Sequence, residues 1–184
     1  GDGQLGTGGN QDRFSPSNTG IITSHLGDFV GAVEISSGGF HTCIVLDYGA
    51  VQCWGKGLLG QLGDGYYESR NYSVMTVLMD REVLHISSGA EHTCAIMDDK
   101  NVRCWGGGYY GQLGIGGEFT SSGGVLTPVK TSSMGIGRSA IDVSAGDYHS
   151  CAILEIQVGF SMSQSISCWG DNNYGQLGDG SEIN

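Results

Sequence analysis

The 184-residue chain has two prolines, eight lysines and arginines, and no apolar run approaching eighteen residues. With no such run, no segment of it is expected to span a membrane as a helix. Nineteen acidic residues against the eight basic ones give a net charge of −11. A grip on nucleic acid needs clustered Lys and Arg to displace counterions. The nearest approaches to such clusters, Arg70 with Arg81 and Lys100 with Arg103, have acidic residues in their neighbourhoods, Asp80 in the first and Asp98 and Asp99 in the second. A nucleic-acid partner is therefore not expected, and the acidity reads as solvated surface. Catalytic signatures are scarce too. There is no G-x-S-x-G elbow, no H-E-x-x-H, no Walker loop, and no G-x-G-x-x-G between a strand and a helix. That inventory leads us to expect neither an enzyme nor a bound cofactor.

Glycine, by contrast, is abundant at 34 residues, and it recurs at fixed positions. The block C-W-G-x-x-x-x-G-Q-L-G-x-G occurs at 53–65, 104–116 and 168–180, and a truncated copy, GQLGTG, stands at 3–8. Upstream of each full block is a second recurring segment, I/V-S-S/A-G-x-x-H-T/S-C, at 35–43, 86–94 and 143–151. Repetition of this kind marks copies of one supersecondary unit stacked side by side. The repeat cores are about 35–65, 86–116 and 143–180, with a partial repeat at 1–8, in a single segment spanning 1–184. Between the two segments lie apolar and β-branched runs broken by turn residues, Asp47-Tyr48-Gly49 in one copy and Asp98-Asp99-Lys100-Asn101 in the next. Such runs flanking an Asp/Asn/Gly turn predict an antiparallel hairpin in each unit, and hence an all-β fold. The phase of the repeat suggests a slice of a longer array.

The six cysteines fall as one pair per repeat: Cys43 with Cys53, Cys94 with Cys104, and Cys151 with Cys168. The first two pairs are symmetric about their hairpin turns, so their sulfurs are expected to face each other across adjacent strands. In the third pair the extra residues, 155–166, are expected to lengthen the hairpin loop without moving the cysteines. Closing a loop of about eleven residues stabilises a fold by roughly 2.5–3 kcal/mol in the chain-entropy model. Reduced, buried thiols are the alternative, and zinc is a third reading, although His41, His92 and His149 do not give the usual C-x-x-C chelate. Bridged cysteines call for an oxidising compartment, as does the sequon Asn71-Tyr72-Ser73, and an extracellular or ectodomain setting is expected over a cytoplasmic or nuclear one.

The unit resembles the regulator of chromosome condensation repeats, whose copies read as a G-x-x-H-S/T segment, a turn, and then W-G-x-x-x-x-G-Q-L-G-x-G. The resemblance covers nearly the whole chain apart from loops. It implies a β-propeller of four-stranded blades, normally seven, of which this chain would hold about three complete ones. The paired cysteines depart from the nuclear members and are more similar to cysteine-bearing bacterial, algal and receptor-ectodomain versions.

A residue repeated in every blade reads as scaffold. His41, His92 and His149 are expected to pair their ring nitrogens with main-chain groups of a neighbouring strand. Gln61, Gln112 and Gln176 are expected to bridge a turn or an adjoining blade, and Trp54, Trp105 and Trp169 to pack at strand ends. The four positions after each C-W-G vary instead. A constant frame with changing loops suits a partner-binding surface, and Tyr66, Tyr67, Tyr109, Tyr110 and Tyr174 are the candidate contacts. The expected function is a non-enzymatic protein–protein interaction scaffold. The resemblance also implies two alternatives: guanine-nucleotide exchange on a small GTPase, and inhibition of a secreted enzyme. Asp171-Asn172-Asn173 is rich in oxygen but lacks the later Glu of a calcium loop, so no metal is expected there.

Overall fold

A computed structural model of the chain describes residues 1–16, 18, 31–77, 81–116, 124–131 and 137–182. Within them the only regular elements are β-strands, arranged as three antiparallel sheets. Blade 1 is β1 (Ala32–Ser37), β2 (His41–Leu46), β3 (Val51–Gly55) and β4 (Arg70–Met75). Blade 2 is β5 (Val83–Ser88), β6 (His92–Met97), β7 (Val102–Gly106) and β8 (Val125–Lys130). Blade 3 is β9 (Arg138–Ala145), β10 (His149–Val158) and β11 (Ser161–Gly170). Strands adjacent in sequence are adjacent in each sheet. The blades stack, with β5 lying beside β1 and β2, and β9 beside β5 and β6. This is the β-propeller architecture that the repeat implies.

Each hairpin forms where the turn residues predict it. In blade 1 the turn reverses at Gly49 with φ 80°, and in blade 2 Lys100 takes the same left-handed place at φ 60°. The cysteines stand directly opposite one another in register, and all three pairs are disulfides: Cys43–Cys53, Cys94–Cys104 and Cys151–Cys168. The expected loop insertion in blade 3 takes another form. The pairing continues to Val158↔Ser161, so the added residues extend both strands and leave only Gly159 and Phe160 as the tip. Alternation of apolar and polar residues in Ile156-Gln157-Val158 and Ser161-Met162-Ser163 suits a pleated ribbon better than a loop.

The cores lie between blades. Cys43, Val45, Val51 and Cys53 of blade 1 pack on Val83, Ile86, Ala95, Met97 and Trp105 of blade 2. Cys94, Ile96, Val102 and Cys104 of blade 2 pack in the same way on Ala140, Val143, Ala152 and Leu154 of blade 3. The first two disulfides therefore staple the strand pairs whose faces receive the next blade.

A buried polar relay accompanies each apolar contact. The indole N–H of Trp105 and the hydroxyl of Thr93 both donate to the main-chain oxygen of Gln61, at 3.0 and 2.9 Å. Trp169 and Ser150 do the same to the oxygen of Gln112, at 2.8 and 3.0 Å. Trp54 and Thr42 share the oxygen of Gln4. The bridge between units is thus the glutamine carbonyl. The glutamine side chains close their own turns, Gln61 Oε1 accepting from Leu59 N and Gln112 Oε1 from Tyr110 N. His41 Nε2 lies 2.7 Å from Thr93 Oγ1, and His92 Nε2 lies 2.8 Å from Ser150 Oγ. The histidines therefore bond to hydroxyls of the next blade, where main-chain partners were expected. Each hydroxyl has spent its one hydrogen on the glutamine oxygen, so it accepts from the ring, and both histidines are neutral with the proton on Nε2. A glycine three residues before each histidine makes room for the ring. A Cβ on Gly89 would fall 2.6 Å from His92 Nδ1 and 2.5 Å from Gly146 O.

Burial without a counter-charge pulls the His41 ring down to about 4. The His92 ring falls to about 3, through burial first and then through His41 and His149 nearby. In the unfolded chain both return to about 6.5. The neutral relay therefore contributes its full stability above pH 6.5 and loses it as the pH falls toward the folded values, because the unfolded state takes up protons first. Each histidine contributes a slope approaching about 1.4 kcal/mol per pH unit. Thermal unfolding followed by circular dichroism should show Tm falling between pH 6.5 and 5, above the carboxylate range. A flat Tm across that window would contradict neutral buried histidines. Thr93→Val keeps the shape but strands the His41 N–H, and should cost about 1–3 kcal/mol in denaturant unfolding.

Candidate functional site

Strand direction divides the array into two ends. The β1–β2 turn and the long β3–β4 loop lie at one end of blade 1, and the β2–β3 hairpin turn lies at the other. Blades 2 and 3 repeat the arrangement, and hydrogen bonds tie the two segments together at the first end. Lys56 N donates to Phe40 O, Gly107 N to Glu91 O, and Asp171 N to Tyr148 O, at 2.7–2.9 Å.

All five candidate tyrosines belong to loops at this first end, and all are exposed. They are not equally free. Tyr67 donates its hydroxyl to Gly124 O at 2.7 Å, and Tyr66 lies under the Arg70 guanidinium at 5.5 Å. Tyr110 rests against Tyr148 with ring centroids 5.1 Å apart. Among the described residues, Tyr109 and Tyr174 make no side-chain hydrogen bond or ring contact, and Tyr174 is 88% exposed.

The sequence reading missed Phe40, Glu91 and Tyr148. They occupy the variable pair between glycine and histidine in G-x-x-H, so the argument from variable loop positions applies to them equally. Phe40 and Leu58 add exposed apolar area to the tyrosines. Two cations at this end, Lys56 and Arg70, are paired. Lys56 Nζ lies 2.7 Å from Glu91, bridging blades 1 and 2, and 4.7 Å from the Phe40 ring centroid. Arg70 pairs with Asp64 and Glu68, which hold its guanidinium above its ordinary value.

The opposite end is different in kind. Its turns carry Asp47, Asp98 and Asp99, the last two paired with Arg81, and Asp99 also with Arg103. Hydrogen bonds from Asn101 and the two arginines hold the Asp99 carboxyl below its ordinary value against the opposing effect of burial. The β10–β11 ribbon projects from this end with Phe160 fully exposed at its tip.

The remaining motif residues are interior. His41, His92, Trp105, Gln61 and Gln112 are buried between blades, Trp54 is buried beneath the N-terminal turn, and His149, Trp169 and Gln176, in the third copy, are half-buried. The oxygens of the Asp171 turn are engaged internally: Gln176 Nε2 and Asn173 Nδ2 donate to the Asp171 carboxylate, and Leu177 N to Asn172 Oδ1. Among the described residues, no group of three or more His, Cys, Asp and Glu side chains is placed to hold a metal ion. None of their helices is long and apolar enough to cross a membrane.

Comparison with known proteins agrees with this geometry. The profile described as the regulator of chromosome condensation (RCC1) repeat matches residues 48–96 and 101–153, over half of the chain, and a second profile of the same description matches 32–61 and 83–112. The chain is 32% identical over 184 residues to the E3 ubiquitin-protein ligase HERC2 of Mus musculus, covering 98% of this chain and 4% of that protein. It is 31% identical over 179 residues to the ultraviolet-B receptor UVR8 of Arabidopsis thaliana, covering 97% of this chain and 37% of the receptor. Thus it spans well under half the length of either relative. Among solved structures, yeast RCC1 (Prp20), determined bound to Kap60, superposes with a TM-score of 0.68 at 18% identity, over 94% of this chain and 38% of that one. With its blades, its inter-blade motifs and more than half its length matched by the profile, the chain belongs to the regulator of chromosome condensation repeat family.

Proposed function

We propose that this chain is a non-catalytic protein-binding module that engages its partner through the tyrosine-bearing end of the propeller. One observation carries the reading: Tyr66, Tyr67, Tyr109, Tyr110 and Tyr174, with Phe40 and Leu58, are exposed at one end of the array, where Lys56 and Arg70 are already paired. Tyrosine supplies apolar area with a hydrogen-bonding tip and loses little conformational freedom on binding. The loops that carry these rings vary between repeats, while the strands and turns beneath them do not. The partner is a protein with an apolar or mixed patch. The yeast propeller that shares this fold was solved bound to Kap60, which supports protein binding as a use of the architecture. Three disulfides support an oxidising compartment as the place of action.

Tyr109→Ala and Tyr174→Ala remove no intramolecular side-chain contact described above. Each should weaken a partner isolated from the native source by about 30-fold if it is a hot spot, read as Kd by calorimetry. Phe160→Ser at the far end should leave Kd unchanged. The reverse pattern would move the binding surface to the ribbon. Replacing Cys94 and Cys104 together by serine should lower stability by about 2.5–3 kcal/mol under non-reducing conditions and not at all against a fully reduced reference.

A further inference from the structure

At the tyrosine end the chain twice seats one of its own cations between an aromatic ring and a carboxylate. In the seam between blades 1 and 2, Lys56 Nζ lies 4.7 Å from the Phe40 ring centroid and 2.7 Å from Glu91 Oε1. In the β3–β4 loop, the Arg70 guanidinium lies 5.5 Å from the Tyr66 ring centroid, and its Nε is 3.2 Å from Asp64 Oδ2. The ring's quadrupole attracts the cation over its face, and the carboxylate takes a charge-assisted hydrogen bond from it. Both sites are filled from within.

The seam between blades 2 and 3 has the rings and a carboxylate but no cation. Repeat alignment puts Gly107 where Lys56 stands and Tyr110 where Leu59 stands. Tyr148 takes the place that Phe40 and Glu91 hold in the two earlier G-x-x-H turns. Glycine has no side chain to send across the seam. Instead the rings of Tyr110 and Tyr148 meet there, with centroids 5.1 Å apart and planes tilted by 50°. Tyr109 and Tyr110 are 53% and 44% exposed, and Asp147, beside Tyr148, is exposed as well. Asp147 joins no ion pair among the described residues, and it is its main-chain oxygen that accepts from Ala90 N. No lysine or arginine stands in residues 107–116, 146–148 or 171–182, the loops that surround the seam. A blade lies on each side of it, so its exposure is not that of a chain end.

We propose that the Tyr110–Tyr148 seam binds an arginine side chain of the protein partner, an inference that rests on the tyrosine end being the partner-binding surface. The guanidinium stacks on the tyrosine pair and donates to Asp147, as Arg70 does within the chain on Tyr66 and Asp64. Arginine fits better than lysine because its flat, weakly hydrated head stacks on a ring while its N–H fork still donates to a carboxylate. The absence of any cation in the surrounding loops lets a basic segment approach without repulsion, and the attraction weakens as salt is added.

The test titrates two glycine–serine peptides of equal length and equal charge, one bearing arginines and the other lysines, into the isotope-labelled 184-residue chain, followed by NMR. The arginine peptide should shift the amide resonances of Tyr110, Asp147 and Tyr148 and saturate with a Kd below about 1 mM. The lysine peptide should bind about three- to tenfold more weakly. Asp147→Asn and Tyr148→Leu should each weaken the arginine peptide by about three- to thirtyfold. Asp147→Asn leaves every hydrogen bond of the turn in place, so circular dichroism should show it folded. Equal binding of the two peptides would reduce the site to its acidity and overturn the proposal. Unchanged binding by both variants, or shifts centred on the Asp98–Asp99 turn, would overturn it too. The partner from the native source separates this inference from the reading beneath it, and Asp147→Asn should weaken that partner as well. If Tyr109→Ala weakens the partner and Asp147→Asn does not, the arginine site falls and the tyrosine surface stands; if neither changes its Kd, both fall.

Discussion

Three of the four G-Q-L-G turns each offer one main-chain oxygen to the next blade, and the stacking of the array hangs on that atom. A carbonyl has two lone pairs, and here both are used inside the protein, one by an indole N–H and one by a hydroxyl. The acceptors are Gln4, Gln61 and Gln112, and the donors always come from the blade that follows. Removing the hydroxyl leaves the buried histidine N–H of the blade behind without a partner, a penalty larger than the bond itself is worth. The histidine then reads the same hydroxyl from the blade behind it. Cooperativity between neighbouring units is therefore written in polar as well as apolar contacts, and stability is a sum over nearest-neighbour interfaces, as expected for stacked repeats.

That dependence explains the glycines. Gly63 and Gly114 adopt positive φ, and a Cβ on them would fall 2.8 and 2.7 Å from the indole nitrogens of Trp105 and Trp169. Only a backbone stripped of side chain lets the turn lie flat on the next tryptophan. The fixed residues of the repeat serve one purpose, the approach of one blade's main chain to the next blade's ring. Nothing in that purpose constrains the loop residues between them, which are left to diversify.

Much of this was legible in the residues alone. The spacing of two motifs around an Asp/Gly turn sufficed for the hairpins, and the symmetric position of Cys43 and Cys53 about residue 48 placed them opposite each other. What was not legible came from contacts between units distant in sequence. The glutamine amide closes its own turn, as its place in the motif suggests, but that its carbonyl bridges the blades depends on Trp105 arriving 44 residues later. The histidine partner was misassigned for the same reason, since Thr93 lies 52 residues from His41. Phe40 and Tyr148 escaped notice because they flank a constant histidine and were read as part of its motif. The lengthened ribbon of blade 3 was read as a loop because an insertion carries no label of its conformation, although its alternating residues did.

That ribbon has a consequence for how the molecule is oriented. Three nearly identical blades related by rotation would present three interchangeable addresses, and a surface meeting the hairpin-turn end could settle on any of them. Of the three described blades, one alone carries the projecting strands β10 and β11, with Phe160 at the tip. They break the pseudo-symmetry and turn a repeating rim into a dial with a single mark.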